Sequence, residues 1–173
     1  MENIKIRLAG VKDDSLIDGP GLRFVVFFQG CPFACPGCHN PDTWDKDGGY
    51  TSSTSDVQKL WQNNFLLDGI TFSGGEPFKQ PEALLNLIVR AKKDNLNVTI
   101  YTGFTYETLV AKNDPTINEI LMRADFLIDG PFIVAEKAEV LYRGSKNQRI
   151  INLKKSLQSN KVTLIREYRD FNV

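Results

Sequence analysis

Three cysteines fall within eight residues, in the segment Gly30-Cys31-Pro32-Phe33-Ala34-Cys35-Pro36-Gly37-Cys38-His39, directly after the apolar run Arg-Phe-Val-Val-Phe-Phe that ends at Phe28. The 173-residue chain has no other cysteine. An odd, tightly clustered set makes no disulfide framework. In a reducing compartment such a cluster holds a metal or does redox chemistry. The spacing, C-x3-C-x2-C, can wrap three thiolates around one iron–sulfur cubane and leave one iron open. Pro32 and Pro36 fix φ at two loop positions and lower the entropy lost on ligation. Other readings stay open on the residues alone. Structural zinc takes four ligands, and His39, the sole histidine, is adjacent to Cys38 without a spacer. Cys35 to His39 also fits the C-x-x-C-H pattern of haem attachment. Cys35 and Cys38 could form a thioredoxin-like redox pair, which would leave Cys31 idle.

The remainder of the chain suits a single domain over residues 1–173, long enough to bury a core without disulfides. Lys plus Arg and Asp plus Glu both number 21, so the basic excess of a general nucleic-acid binder is missing. The first ten residues lack the apolar stretch of a secretory signal. No apolar run approaches the ~18 residues of a membrane span. These features predict a cytoplasmic protein with neither nucleic acid nor membrane as partner.

Apolar runs alternate with amphipathic segments. Strands are predicted at 23–28, 69–72, 97–101, 126–128, 149–153 and 162–165. Helices are predicted at 55–66, with Ser55 as N-cap, and at 81–93, 106–112, 116–123 and 153–159. This order predicts an α/β fold of βα units around a parallel sheet. Such sheets bind ligands at the carboxyl ends of their strands. The cysteine loop, Ser73-Gly74-Gly75-Glu76, Thr102-Gly103 and Asp129-Gly130 each follow a predicted strand, so four loops should converge on one edge. Phe24, Phe27 and Phe28 read as core. Gly74 and Gly75 read either as a tight turn or as backbone that a ligand approaches closely. Asp129 reads as a turn initiator.

The cysteine spacing resembles the signature of the radical S-adenosylmethionine superfamily, and more closely that of the activating enzymes of glycyl-radical proteins. The resemblance rests on Ile17-Asp18-Gly19-Pro20-Gly21-Leu22-Arg23, the cysteine loop through Trp44, Thr71 to Pro77, Tyr101-Thr102-Gly103-Phe104, Asp129-Gly130-Pro131-Phe132, and Arg143-Gly144-Ser145-Lys146-Asn147-Gln148. These blocks run in family order from about residue 16 to 153. The last block, and Gly37 before the third cysteine, favour the activators of anaerobic ribonucleoside-triphosphate reductase. Many superfamily members place an aromatic residue at position 37, where it packs near adenine, so here adenine must pack elsewhere.

The resemblance implies an incomplete radical-SAM barrel with an open side. It implies a [4Fe–4S] cluster on Cys31, Cys35 and Cys38. It places S-adenosylmethionine against Gly37, Cys38, His39, Ser73, Gly74, Gly75, Glu76, Thr102, Asp129 and Gly130, with the methionyl amino group held by the Ser-Gly-Gly-Glu loop. No side chain is itself catalytic, because the cluster and S-adenosylmethionine carry the chemistry. The reaction implied is reductive cleavage of S-adenosylmethionine, followed by hydrogen abstraction from a glycine of the large subunit of a class III ribonucleotide reductase. A low-potential donor such as flavodoxin is implied. The alternatives are activation of another glycyl-radical enzyme, small-molecule chemistry of the 7-carboxy-deazaguanine synthase kind, and a non-enzymatic zinc module. Arg143 and Asn147 reveal no chemistry in the sequence.

Overall fold

The computed structural model describes residues 2–165. The expected single domain over 1–173 therefore includes residues outside those described. Seven strands make one sheet in the order β3-β1-β2-β4-β5-β6-β9. They are β1 (Lys5–Ser15), β2 (Arg23–Phe28), β3 (Tyr50–Ser53), β4 (Gly69–Gly74), β5 (Asn97–Tyr101), β6 (Phe126–Asp129) and β9 (Arg149–Asn152). A separate hairpin pairs β7 (Lys137–Val140) with β8 (Arg143–Ser145). The helices are α1 (Thr54–Trp61), α2 (Pro81–Lys93), α3 (Tyr106–Ala111), α4 (Pro115–Arg123) and α5 (Leu153–Ser159).

The four central strands, β2, β4, β5 and β6, are parallel, as the βα pattern predicts. Both flanks differ from that expectation. On one side β1 pairs antiparallel with β2 and β3. The alternation Ile4, Ile6, Leu8 is the trace of β1 in the sequence; it is broken beyond Leu8 by bulges that carry the strand to Ser15. On the other side β9 runs antiparallel to β6, with Asp129 opposite Arg149. A parallel partner needs a crossover to the far end of the sheet. Residues 130–148 make no such crossover; they leave and return at the same end, so the strand reverses. The predicted strand at 162–165 is reduced to one bridge, Ile151 to Leu164, beside β9.

Helix ends follow local chemistry. Ser53, not Ser55, caps α1 by accepting from the Asp56 amide, and α1 stops at Trp61, short of residue 66. Asp114 accepts from the amides of Thr116 and Ile117 ahead of Pro115 at the first helical position.

The helices bury their apolar faces on one side of the sheet. There Phe24, Val26, Phe28, Ile70, Phe72, Val98, Ile100 and Leu127 pack with Trp61, Leu84, Leu87, Ile88, Ile120 and Leu121. Side chains alternate along strands, so the intervening residues face the other way. Val25 and Ile128 are buried there, outside that core. Phe27 also lies on this second face, half-buried and lining a cavity, rather than in the core as expected.

Candidate functional site

Arg23 marks the amino end of the second face. It is fully buried and has no carboxylate partner within the described residues; it donates to Thr71 Oγ1 (2.6 Å) and to the carbonyls of Pro20 (2.9 Å), Ile70 (2.7 Å) and Asn97 (3.1 Å). Burial lowers its pKa to about 10. These bonds tie the segment at 18–21 to β4 and β5, which sets the adjoining Leu16 and Ile17 at the mouth of the cavity.

At the carboxyl end of β2 the cysteine loop is closed at its neck. The Gly30 amide donates to Thr43 O (2.8 Å) and the Cys31 amide to Trp44 O (3.1 Å). Gln29 reinforces the neck by donating from Nε2 to Asp42 O (3.0 Å) and Asp45 O (2.6 Å). Inside the loop two left-handed residues set the curl: Ala34 at φ 44° and Gly37 at φ 75°. For alanine that conformation costs roughly 1–2 kcal/mol, a strain that the closed neck holds in place. The Cys38 amide donates to Cys35 O (3.0 Å), and the Asn40 amide points at Cys38 Sγ (3.4 Å). All three thiols are free, half-buried and line one cavity of about 1020 Å3. Burial pushes the Cys31 thiol above its usual pKa.

The end of β4 lies flush against this loop. Gly75 donates to Phe28 O (2.8 Å) and Glu76 to Gly30 O (2.9 Å), extending the parallel ladder past the strands. Gly74 sits at φ 94°, where a Cβ would come within 2.6 Å of the Phe28 amide nitrogen. At Gly75 a Cβ would lie 2.5 Å from Gly30 O, so its need is close approach rather than positive φ. Ser73, Gly74, Gly75, Thr102, Gly103, His39 and Gly130 join the three cysteines around the cavity. The four loops thus converge at the carboxyl ends of the parallel strands, as expected.

Three expected cofactor contacts are not among the residues lining the cavity. Gly37 is exposed, with side-chain atoms of Val134 and Phe132 lying 3.3 and 3.4 Å from where its Cβ would be. Glu76 is fully buried and accepts from the Phe78 amide (3.0 Å), Thr102 Oγ1 (2.9 Å) and the Gly103 amide (2.8 Å). Burial outweighs these donors and lifts its pKa to about 7. Asp129 accepts from the Tyr106 amide (2.7 Å) and from Arg149, which also grips Glu107.

The segment at 130–148 roofs the cavity, and little in the sequence signals it. Gln148 is its clip: Nε2 donates to Gly130 O (3.0 Å), while Oε1 accepts from the Gly144 (2.8 Å) and Ser145 (3.3 Å) amides. Asn147 donates to Pro131 O (2.8 Å). Tyr101, on the cavity floor, donates to Tyr142 O (2.7 Å) in the hairpin turn. Asn147 and Gln148 thus tie the two ends of the roof together, and Gln148 also lines the cavity. Leu16, Ile17 and Leu141 line the cavity while remaining 70%, 73% and 48% exposed, so its mouth has apolar lips.

The donor set fits an iron–sulfur cluster. A cluster takes its three protein ligands as thiolates, and the three half-buried thiols of this one loop face the same cavity.

Comparison with known proteins agrees. Residues 17–151 match the family described as a 4Fe-4S single cluster domain. The chain is 37% identical over 66% of its length to the pyruvate formate-lyase-activating enzyme of Clostridium pasteurianum and 32% identical over 90% to pyruvate formate-lyase 1-activating enzyme of Escherichia coli K12. It spans 52% and 64% of those two relatives. It is 31% identical over 78% of its length to the anaerobic ribonucleoside-triphosphate reductase-activating protein of Enterobacteria phage T4, covering 86% of that protein. Among solved structures, QueE from Escherichia coli superposes with a TM-score of 0.46 at 18% identity, over 58% of this chain and 53% of that one. The chain belongs to the radical S-adenosylmethionine family of glycyl-radical-enzyme activases, in the single-cluster 4Fe-4S class. The cofactors that go with this membership are one [4Fe–4S] cluster and S-adenosylmethionine. No helix among the described residues is long and apolar enough to cross a membrane.

Proposed function

We propose that this protein activates an anaerobic, class III ribonucleoside-triphosphate reductase by generating a glycyl radical on its large subunit. The observation that carries this reading is the backbone of Gly37, held at φ 75°, a left-handed conformation that favours glycine. The loop thus carries the Cys-Pro-Gly-Cys form that resembles the reductase activators. The Arg143 to Gln148 block, which clips the roof, supports the same reading.

In this reading the whole chain acts as one domain, and the parallel strands with their helices on one face act as an incomplete barrel. Cys31, Cys35 and Cys38 hold the cluster. Backbone at Ser73, Gly74 and Gly75, with His39, Thr102 and Gly130, lines the place for S-adenosylmethionine; Gly37, Glu76 and Asp129 belong to the same loops without lining the cavity. When bound, the two cofactors supply one-electron cleavage of a carbon–sulfur bond and a radical able to take a hydrogen atom. The chain's own work is to orient and to exclude water. Leu16, Ile17 and Leu141 offer an apolar mouth that suits an entering protein segment better than a free, polar metabolite. A low-potential donor of the flavodoxin kind supplies the electron, in the cytoplasm.

The test mixes reconstituted protein, reductant and S-adenosylmethionine with either a class III reductase or a pyruvate formate-lyase from the same source. The expected result is a glycyl-radical EPR doublet on the reductase, collapsing toward a singlet when its glycine is α-deuterated. A doublet on the formate-lyase alone assigns the protein to the formate-lyase activases instead.

A further inference from the structure

Position 37 leaves a gap in the cavity's chemistry. A cofactor that carries a purine needs a flat apolar surface for its ring, and glycine offers none. Five aromatic side chains besides His39 line the cavity: Phe27, Phe33, Tyr101, Phe132 and Tyr142. Phe33 is committed elsewhere. It lies edge-on to Phe104 with centroids 4.9 Å apart, and it presses so closely on Gly103 that a Cβ there would meet it at 2.5 Å. Tyr101 is held by its bond to Tyr142 O on the floor. Phe27 lies within β2, on the strand surface below the loops.

Tyr142 sits in the left-handed turn of the hairpin at φ 59°, two residues from β7's end, with its carbonyl taken by Tyr101. Phe132 is placed differently, against the cysteine loop itself. A ring carbon lies 3.4 Å from where a Cβ on residue 37 would begin, and another lies 2.9 Å from where one on Gly144 would begin. Two glycines thus make room for this one ring between the cysteine loop and the roof. The imidazole of His39 stands beside it, with ring centres 5.3 Å apart and planes tilted by 46°. The ring reaches the cysteine loop from the opposite wall, at the point where a side chain on residue 37 would have emerged.

We infer that Phe132, delivered from the roof, is the aromatic surface on which the adenine of S-adenosylmethionine packs in this protein. The inference rests on the cofactor assignment above. A Cβ on residue 37 would touch this ring at 3.4 Å, so the glycine and the ring occupy adjoining space. Stacking of a base on an aromatic side chain is worth about 1–3 kcal/mol, so loss of the ring should weaken binding roughly 10- to 100-fold.

The experiment measures binding to the cluster-loaded protein of three ligands: S-adenosylmethionine, S-adenosylhomocysteine, and L-methionine, which keeps the amino and carboxylate groups but has no purine. In Phe132→Leu the first two should weaken roughly 10- to 100-fold, with L-methionine and iron content unchanged, while Phe132→Tyr should bind like the wild type. Replacing Phe132 by 4-fluorophenylalanine leaves the ring in place and gives a second reading that does not depend on a truncated side chain. Its 19F resonance should shift with S-adenosylhomocysteine and stay put with L-methionine. Equal affinities in the Leu variant and the wild type, equal weakening of all three ligands, or a fluorine signal indifferent to the purine would overturn the inference while leaving the cofactor assignment standing. A wild-type protein that binds iron but no S-adenosylmethionine would overturn both.

Discussion

Glu76 is a fully buried carboxylate just past the end of β4, held by three donors. Its backbone amide donates to Gly30 O at the neck of the cysteine loop, while its buried carboxyl accepts from the Phe78 amide, Thr102 Oγ1 and the Gly103 amide. Its pKa is raised from 4.5 to about 7 by burial. The folded state therefore binds a proton that the unfolded chain releases earlier. That contribution to stability is complete below about pH 4.5 and is lost as pH rises through about 7. Chemical denaturation of the cluster-free protein should show this decline, and Glu76→Gln should flatten it; a parallel decline in the variant would assign the effect to other groups. Gly75 gives a second residue-scale expectation. Gly75→Ala puts a Cβ 2.5 Å from Gly30 O, next to Cys31. It should lower both cluster iron and S-adenosylmethionine affinity, as iron analysis and equilibrium dialysis would report. The sequence revealed that glycines were needed here but not why, because the partner atom, Gly30 O, lies 45 residues earlier in the chain and is brought alongside only by the parallel pairing of β2 with β4.

At the scale of elements, periodicity located the parallel core well. Residues 81–93 and 97–101 behave as predicted because their apolar spacing matches one face of a helix and a fully buried strand. The flanks were hidden. β1 is bulged, β3 is a short polar edge, and β7 and β8 are four- and three-residue strands that depend on Gln148 rather than on apolar pattern. Two substitutions separate scaffold from site. Asp114→Ala removes the cap of α4 and should cost about 1 kcal/mol of stability, with no change in cofactor binding. Gln148→Leu strands the Gly130 carbonyl and two hairpin amides; it should cost about 1–3 kcal/mol and also weaken S-adenosylmethionine binding, because the roof carries Phe132. Thermal denaturation and ligand titration on the two variants test the contrast, and equal effects on binding would argue that the roof is mere scaffold.

For the molecule as a whole, the division of the sheet into two faces is the organising fact. Helices and core occupy one face; a buried arginine, a cavity and an apolar mouth occupy the other. The site was legible in the sequence as four loops following four strands, since a parallel sheet brings such loops together whatever the rest of the chain does. The roof and the lips were not, since the roof and Leu141 arise from the reversal at 130–148, while Leu16 and Ile17 are set at the mouth by the bonds that Arg23 and Thr71 make to the segment at 18–21. The central claim is that three thiolates hold a cluster whose remaining iron faces the cavity. The most direct measurement is the EPR spectrum of the reduced, reconstituted protein before and after S-adenosylmethionine is added. The account predicts a changed spectrum, because a ligand joins the cluster at its open position, and loss of the signal when Cys31, Cys35 or Cys38 is replaced by alanine. A spectrum unmoved at saturating S-adenosylmethionine, or a full signal in any of those variants, would contradict it.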